Sequence, residues 1–115
     1  MNDINVLIEK LKQFRDERDW LQFHTPKDLA ISVVLEATEV LEHFQWKTPS
    51  EVDEYVAAHR GEIADELGDV LKYLLGLSDV LGIDLVEAAL NKLEKDALKY
   101  PVEKAKGKHT KYNQL

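Results

Sequence analysis

Apolar residues recur three and four positions apart along most of the chain, which is the spacing of one face of an α-helix. The pattern begins with Ile4, Leu7, Ile8, Leu11 and Phe14 and returns in three later segments, separated by short stretches that contain Gly or Pro. No alternation of apolar and polar residues lasts long enough to indicate a strand. The pattern therefore predicts an all-α protein with a four-helix core.

Helix-start and helix-stop signals place the four helices at about residues 3–20, 26–46, 54 or 59 to 81, and 84–99. Thr25 and Asp84 are the expected N-cap residues of the second and fourth helices, and Pro26 suits the first helical position. The segment "KTPSEVDEY" is interpreted as a loop with a short helical turn. The basic tail, residues 101–115, has the composition of a mobile terminus.

The composition limits the classes of function. A length of 115 residues predicts one domain over residues 1–115, and the net charge of −7 argues against binding to a nucleic-acid polymer. The absence of Cys excludes disulfides and thiolate chemistry. Neither a secretion signal nor an apolar run of about 20 residues is evident, so we expect a cytoplasmic protein without a membrane partner.

The second predicted helix carries acidic residues beside its apolar surface. On a wheel of 100° per residue that starts at Leu29, one apolar face is followed by a second strip at Ile31 and Leu35, so the helix is expected to be covered on two sides. Another subunit would supply the second covering surface. Glu36 and Glu39 lie between the two apolar strips, at about 280° to 340°.

The third predicted helix repeats this arrangement. Glu62, Glu66, Asp69 and Tyr73 fall on the margin of its apolar arc, whereas the opposite, solvent-facing side is predicted to hold Asp65, Lys72 and Asp79. If the helices pack, two acidic pairs converge, and such a set repels itself unless a cation neutralises it. Carboxylate oxygens suit Mg²⁺, with Mn²⁺ as the alternative. The competing interpretation is surface acids paired with Lys, although neither Lys72 nor Lys47 is placed for a neat pair.

Other residues have both a functional and a structural interpretation. Trp20, Trp46 and Tyr73 could stack on a planar base, but their spacing alone favours ordinary packing. Lys92 could reach a phosphate or extend to solvent. For His24 and His43, local hydrogen bonds compete with a ligand role. Arg15 and Arg18 extend the apolar face of the first helix and either could reach an anion, although solvated side chains are the simpler interpretation.

Three segments together resemble the MazG-type all-α nucleoside triphosphate pyrophosphohydrolases, in their short single-domain branch related to dCTP pyrophosphatase. They are "ERDWLQFHTPKDLAISVVLEATEVLEHFQW", "EIADELGDVLKYLLGL" and "KYPVEKAKG". The family motif, E-x-x-E followed by E-x-x-D, is matched by Glu36, Glu39, Glu66 and Asp69.

The resemblance implies a homotetramer, arranged as a dimer of dimers, and Mg²⁺-dependent cleavage of a deoxynucleoside triphosphate to the monophosphate and diphosphate, as in clearance of nucleotide pools. Trp20, Trp46 and Tyr73 would surround the base and sugar, with His24 a candidate donor and Lys92 and Asp96 near the ligand. Members that prefer dCTP often carry Asn where this chain has Asp96, which leaves the base open. Glu39 is the candidate that positions the attacking water, with Glu62 in reserve.

Two alternatives remain at this point. The chain could be a helical oligomerisation or interaction module whose acidic residues only maintain solubility. It could also be an all-α phosphohydrolase of another specificity, such as a dUTPase or an enzyme acting on phosphoribosyl-ATP.

Overall fold

The computed structural model describes residues 3–115. It contains the five α-helices α1 (Ile4–Glu17), α2 (Pro26–Glu42), α3 (Pro49–Leu81), α4 (Leu85–Lys99) and α5 (Val102–Ala105), and no strand among those residues. The predicted all-α class is confirmed. The chain divides into two compact units. The first ends at Gly82, and the second comprises Ile83–Leu115. The first two residues of the predicted domain lie outside the described part.

In the first unit, the long helix α3 packs against both α2 and α1. Its core contains Leu29 from α2 together with Ile63 and Leu75 from α3, and Leu75 is only 1% exposed. These side chains repeat at helical spacing, so burying them fixes which face of each helix points inward. The same packing brings the acidic margins of α2 and α3 into one unit.

The N-terminal signals of these helices act as expected. The Thr25 hydroxyl accepts the Asp28 N–H at 3.2 Å, and Pro26 occupies the first turn of α2. Thr48 begins α3 in the same way, with a capping box in which its hydroxyl and backbone N–H pair with Glu51, both at 3.3 Å. The prediction of a loop over "KTPSEVDEY" was therefore wrong, because this cap starts a helix at Pro49.

Three helix boundaries differ from the prediction for backbone reasons. Helix α1 ends at Glu17 because Asp19 adopts a φ of 55°, and α2 ends at Glu42, before Trp46 with a φ of 68°. Such positive φ values cannot continue a right-handed helix. Within α3, His59 has non-helical angles (φ −125°, ψ 25°). The alternative helix start predicted at residue 59 therefore corresponds to an interruption inside α3.

The second unit consists of α4 and a locally ordered tail. Asp84 caps α4 by accepting the Glu87 N–H at 3.0 Å, as predicted. After α5, the tail closes with a 3-10 turn, and the Tyr112 ring meets Tyr100 edge-on while Lys99 lies 4.7 Å above it. Composition had indicated a mobile terminus and missed these contacts. No helix within residues 3–115 is long and apolar enough to cross a membrane.

Candidate functional site

Glu36 is the most unusual carboxylate of the first unit. Its Oε2 atom is buried and has no hydrogen-bond partner. Burial, followed by the neighbouring Glu39 and Asp69 carboxylates, raises the pKa of Glu36, and only the ammonium of Lys72 acts in the opposite direction. The wheel placed Glu36 beside the core, and the structure confirms that position. A buried, unpaired oxygen among other acids is a strong candidate for a cation ligand.

Glu66, on α3, makes a different contact. Its Oε2 atom pairs with Nε2 of His43, the C-cap residue of α2, and Nδ1 of His43 lies 2.6 Å from the Tyr55 hydroxyl. His43 is 9% exposed and Glu66 27%. One side of the Glu66 carboxylate is thus held by a partly buried hydrogen-bond chain that links the C-cap of α2 to residues on both sides of the interruption in α3.

Asp69 pairs with the Lys72 ammonium at 2.9 Å, one helical turn away. The expectation that Lys72 was badly placed for such a pair was wrong, because the flexible stem of Lys bends along the helix surface. Glu39 and Glu62 are exposed. Within residues 3–115, no three Asp, Glu or His side chains lie close enough to form a metal-coordinating group. The four-carboxylate ligand set therefore stays a prediction.

A cavity of about 250 Å³ opens in the same unit. Three candidate nucleotide-binding residues, Trp20, His24 and Tyr73, line it, and Lys72 connects it to Asp69. The Trp20 and His24 rings are 6.4 Å apart. An apolar wall with a few polar groups at its edge is the usual lining of a small-molecule site.

The cavity also contains an ion pair that the wheel did not predict. Arg15 Nη1 donates to Asp79 Oδ2 at 3.1 Å, and the Arg15 side chain is only 11% exposed. Hydrogen bonds from Arg15 to Asp16 and Asp79 raise the pKa of Arg15 against the effect of burial, and Arg15 lowers the pKa of Asp16. Both expectations of solvated side chains, for Arg15 and for Asp79, were wrong because the two residues neutralise each other across α1 and α3.

Three candidates from the sequence remain, namely Trp46, Lys92 and Asp96. Trp46 is 91% exposed and does not line the cavity. Lys92 and Asp96 belong to the second unit, where the Lys92 ammonium pairs with the Asp96 carboxylate one turn along α4. Their predicted roles near a ligand stay predictions.

Sequence reasoning missed Tyr55, and for His43 it left a ligand role and local hydrogen bonds open without naming Tyr55 or Glu66 as partners. Tyr55 fell in a segment interpreted as a loop, so no helical face was assigned to it. His43 was already on the acidic stripe of α2, and that position was a signal for a contact with the acids of α3.

Comparison with known proteins agrees with the resemblance. Mouse (Mus musculus) dCTP pyrophosphatase 1 is 37% identical over 105 residues, and the Homo sapiens protein of that name is 38% identical over 105. Each alignment covers 90% of this chain, which spans 62% of the relative's length.

A solved structure and a family model extend this agreement. A pyrophosphatase from Archaeoglobus fulgidus matches with a TM-score of 0.83 and 44% identity, over 88% of this chain and 94% of that one. The model described as the MazG-like family matches residues 31–115. With most of its length matched in this way, the chain belongs to the MazG-like family.

Proposed function

We propose that the protein is a Mg²⁺-dependent nucleoside triphosphate pyrophosphohydrolase that converts a deoxynucleoside triphosphate and water to the monophosphate and diphosphate. The observation that carries this proposal is the buried, unpartnered Oε2 atom of Glu36, close to Glu39 and Asp69 and on the same unit as a cavity lined by Trp20 and Tyr73. The two relatives described as dCTP pyrophosphatases favour dCTP or a related nucleotide as the substrate.

The donor chemistry of the predicted ligands suits a hard divalent cation. The predicted ligands Glu36, Glu39, Glu66 and Asp69 offer only carboxylate oxygens, which Mg²⁺ prefers and Mn²⁺ accepts. Glu36 has a buried oxygen without a hydrogen-bond partner, and the contact of Glu66 with His43 uses Oε2 and leaves Oε1 for a cation. When bound, the cation supplies positive charge that offsets the charge of the phosphates.

The protein side chains then have separate tasks. Glu39 is exposed, so water can reach its carboxylate, and we assign it the positioning of the attacking water and the removal of its proton. Glu62, also exposed on α3, is the reserve for this task. Trp20, His24 and Tyr73 would hold the base and sugar in the cavity.

The proposed roles of Trp46, Lys92 and Asp96 rest on the family resemblance alone. Trp46 would close the base pocket, and Lys92 with Asp96 would lie near the bound nucleotide. Because Lys92 already pairs with Asp96, binding of a phosphate to Lys92 would compete with that carboxylate.

The exposed apolar surface of α2 supports the proposal of a homotetramer. Its exposed apolar residues occupy a continuous strip at about 120° to 240° on the wheel. The strip comprises Ile31, Val34, Leu35 and Leu41, which are each 48% to 64% exposed. Covering it with another copy of the chain would remove this apolar area from water. Light scattering coupled to gel filtration tests the assembly, and a monomer at micromolar concentration would contradict it.

Turnover of each deoxynucleoside triphosphate, with separation of monophosphate and diphosphate products, tests the activity. We expect hydrolysis with MgCl₂, none with EDTA, and loss of turnover in Glu36→Gln and Asp69→Asn with helical circular dichroism retained. Glu54→Gln and Asp65→Asn change exposed acids of α3 outside the proposed set and serve as matched controls. Full activity in either site variant, or no saturable nucleotide binding by the native protein, would contradict the proposal.

A further inference from the structure

The hydrogen-bond chain from Tyr55 through His43 to Glu66 has no role in the function proposed so far. It joins the C-terminus of α2 to residues on either side of the interruption in α3. Its central residue, His43, is among the few buried polar residues of the described chain. A buried imidazole with both ring nitrogens engaged is held in one orientation, which is what a supporting residue requires.

The direction of the hydrogen bonds follows from the partners. The Glu66 carboxylate can only accept, so Nε2 of His43 carries the hydrogen and donates it to Glu66. In the neutral imidazole, Nδ1 is then an acceptor, and the Tyr55 hydroxyl donates to it across 2.6 Å. The hydroxyl of Tyr55 thus selects the tautomer of His43 that can hold Glu66.

Tyr55 is itself fixed by its surroundings. Its ring stacks on the His59 ring with centroids 4.0 Å apart and planes 13° apart, and the Lys47 ammonium lies 4.2 Å from the ring centroid. Nδ1 of His59 donates to the Tyr55 backbone carbonyl at 3.0 Å. His59, the non-helical residue of α3, therefore supports Tyr55, which is the first member of the hydrogen-bond chain to Glu66.

We propose that His43, oriented by Tyr55, is a positioning residue that fixes the Glu66 carboxylate so that its Oε1 atom is presented to the divalent cation. The inference rests on the proposed function, since it assigns a support to one of the proposed metal ligands. A half-buried Glu without this support would sample several rotamers, and ordering it would reduce the affinity for the cation.

The test measures binding of the metal alone. Mn²⁺ is titrated into nucleotide-free protein and followed by electron paramagnetic resonance, for the native chain and for His43→Leu, His43→Gln and Tyr55→Phe. His43→Leu should weaken Mn²⁺ binding by about 10–100-fold. His43→Gln keeps a side-chain N–H that can reach Glu66 and should recover most of the affinity. Tyr55→Phe should weaken binding by about 2–10-fold, as expected for one lost hydrogen bond.

Steady-state kinetics give a second readout. Raising the Mg²⁺ concentration should restore the kcat of His43→Leu, with the KM for the nucleotide at saturating Mg²⁺ close to the native value. A purely structural role would instead leave a defect that Mg²⁺ does not repair. His109→Leu and Tyr112→Phe make the same chemical changes at exposed positions of the second unit and should behave as the native chain.

The outcomes separate the two proposals. Native protein that neither binds Mn²⁺ nor hydrolyses a nucleotide would overturn the proposed function and this inference with it. Native protein that binds Mn²⁺, with equal affinity in a folded His43→Leu, would overturn the inference alone. If His43→Leu does not fold, Tyr55→Phe decides, because Mn²⁺ affinity equal to that of the native chain would overturn the role of the hydrogen-bond chain.

Discussion

Glu36 is expected to destabilise the metal-free protein at neutral pH, so Glu36→Gln should raise its free energy of unfolding. Burial and the neighbouring carboxylates raise the pKa of Glu36, and the folded chain therefore binds this proton more tightly than the unfolded chain. The stability gained from binding this proton is fully present below the ordinary pKa of Glu36 and is lost as the pH rises through its raised pKa. The advantage of Glu36→Gln should accordingly be small at acid pH and largest at neutral pH.

The size of the effect follows from the unpartnered oxygen. A buried polar atom without a partner costs about 1–3 kcal/mol, and more when it is charged. Because Gln retains a polar oxygen but loses the charge, we expect a gain of about 1 kcal/mol, or about 4 °C in Tm for a chain of this length. Mg²⁺ at 100 times its Kd should stabilise the native chain by about 2.7 kcal/mol and Glu36→Gln by much less.

Differential scanning calorimetry at equal protein concentration measures both effects. The native chain, Glu36→Gln and the control Glu54→Gln are compared at pH 5 and pH 8, each in EDTA and in MgCl₂. In EDTA at pH 8, Glu36→Gln should melt above the native chain, and in MgCl₂ the order should reverse. The reasoning is refuted if Glu36→Gln melts below the native chain in EDTA, or if Mg²⁺ stabilises both equally.

Three further predictions concern the first unit. Asp79→Ala should lower the free energy of unfolding in urea by about 1–2 kcal/mol because it removes the carboxylate that pairs at 3.1 Å with the largely buried Arg15, whereas Asp16→Ala, at an exposed pair, should have a smaller effect. Gly82→Ala should cost about 1–2 kcal/mol in the same assay because φ is 67°, whereas Gly61→Ala, with open space in α3, should be neutral or stabilising. In Trp46→Phe, the fluorescence of Trp20 should change on adding a nucleotide, because Trp20 lines the cavity; an unchanged spectrum would place the base elsewhere.

The sequence was sufficient where a feature depends on residues close along the chain. Thr25 and Asp84 were identified as caps because a cap bonds to an N–H three residues later. The position of Glu36 beside the core followed from the helical period alone. These features need no knowledge of how one helix lies against another.

Features that join distant segments could not be predicted in this way. Arg15 and Asp79 are 64 residues apart, and a pattern examined one helix at a time cannot bring them together. The contact between His43 and Glu66 spans 23 residues and depends on the packing of α2 against α3. Tyr55 was hidden for a further reason: Pro49 and the capping box at Thr48 extend α3 into a segment whose composition is typical of a loop.

The hydrogen-bond chain across the interruption of α3 at His59 also limits which insertions and deletions the protein can accept. Tyr55 and Glu66 must both reach His43, although they are 11 positions apart with the non-helical His59 between them. Adding or removing one residue there would rotate everything beyond it by about 100° and turn Glu66 away from its partner. We therefore expect insertions and deletions between residues 55 and 66 to be poorly tolerated, whatever substitutions accumulate there.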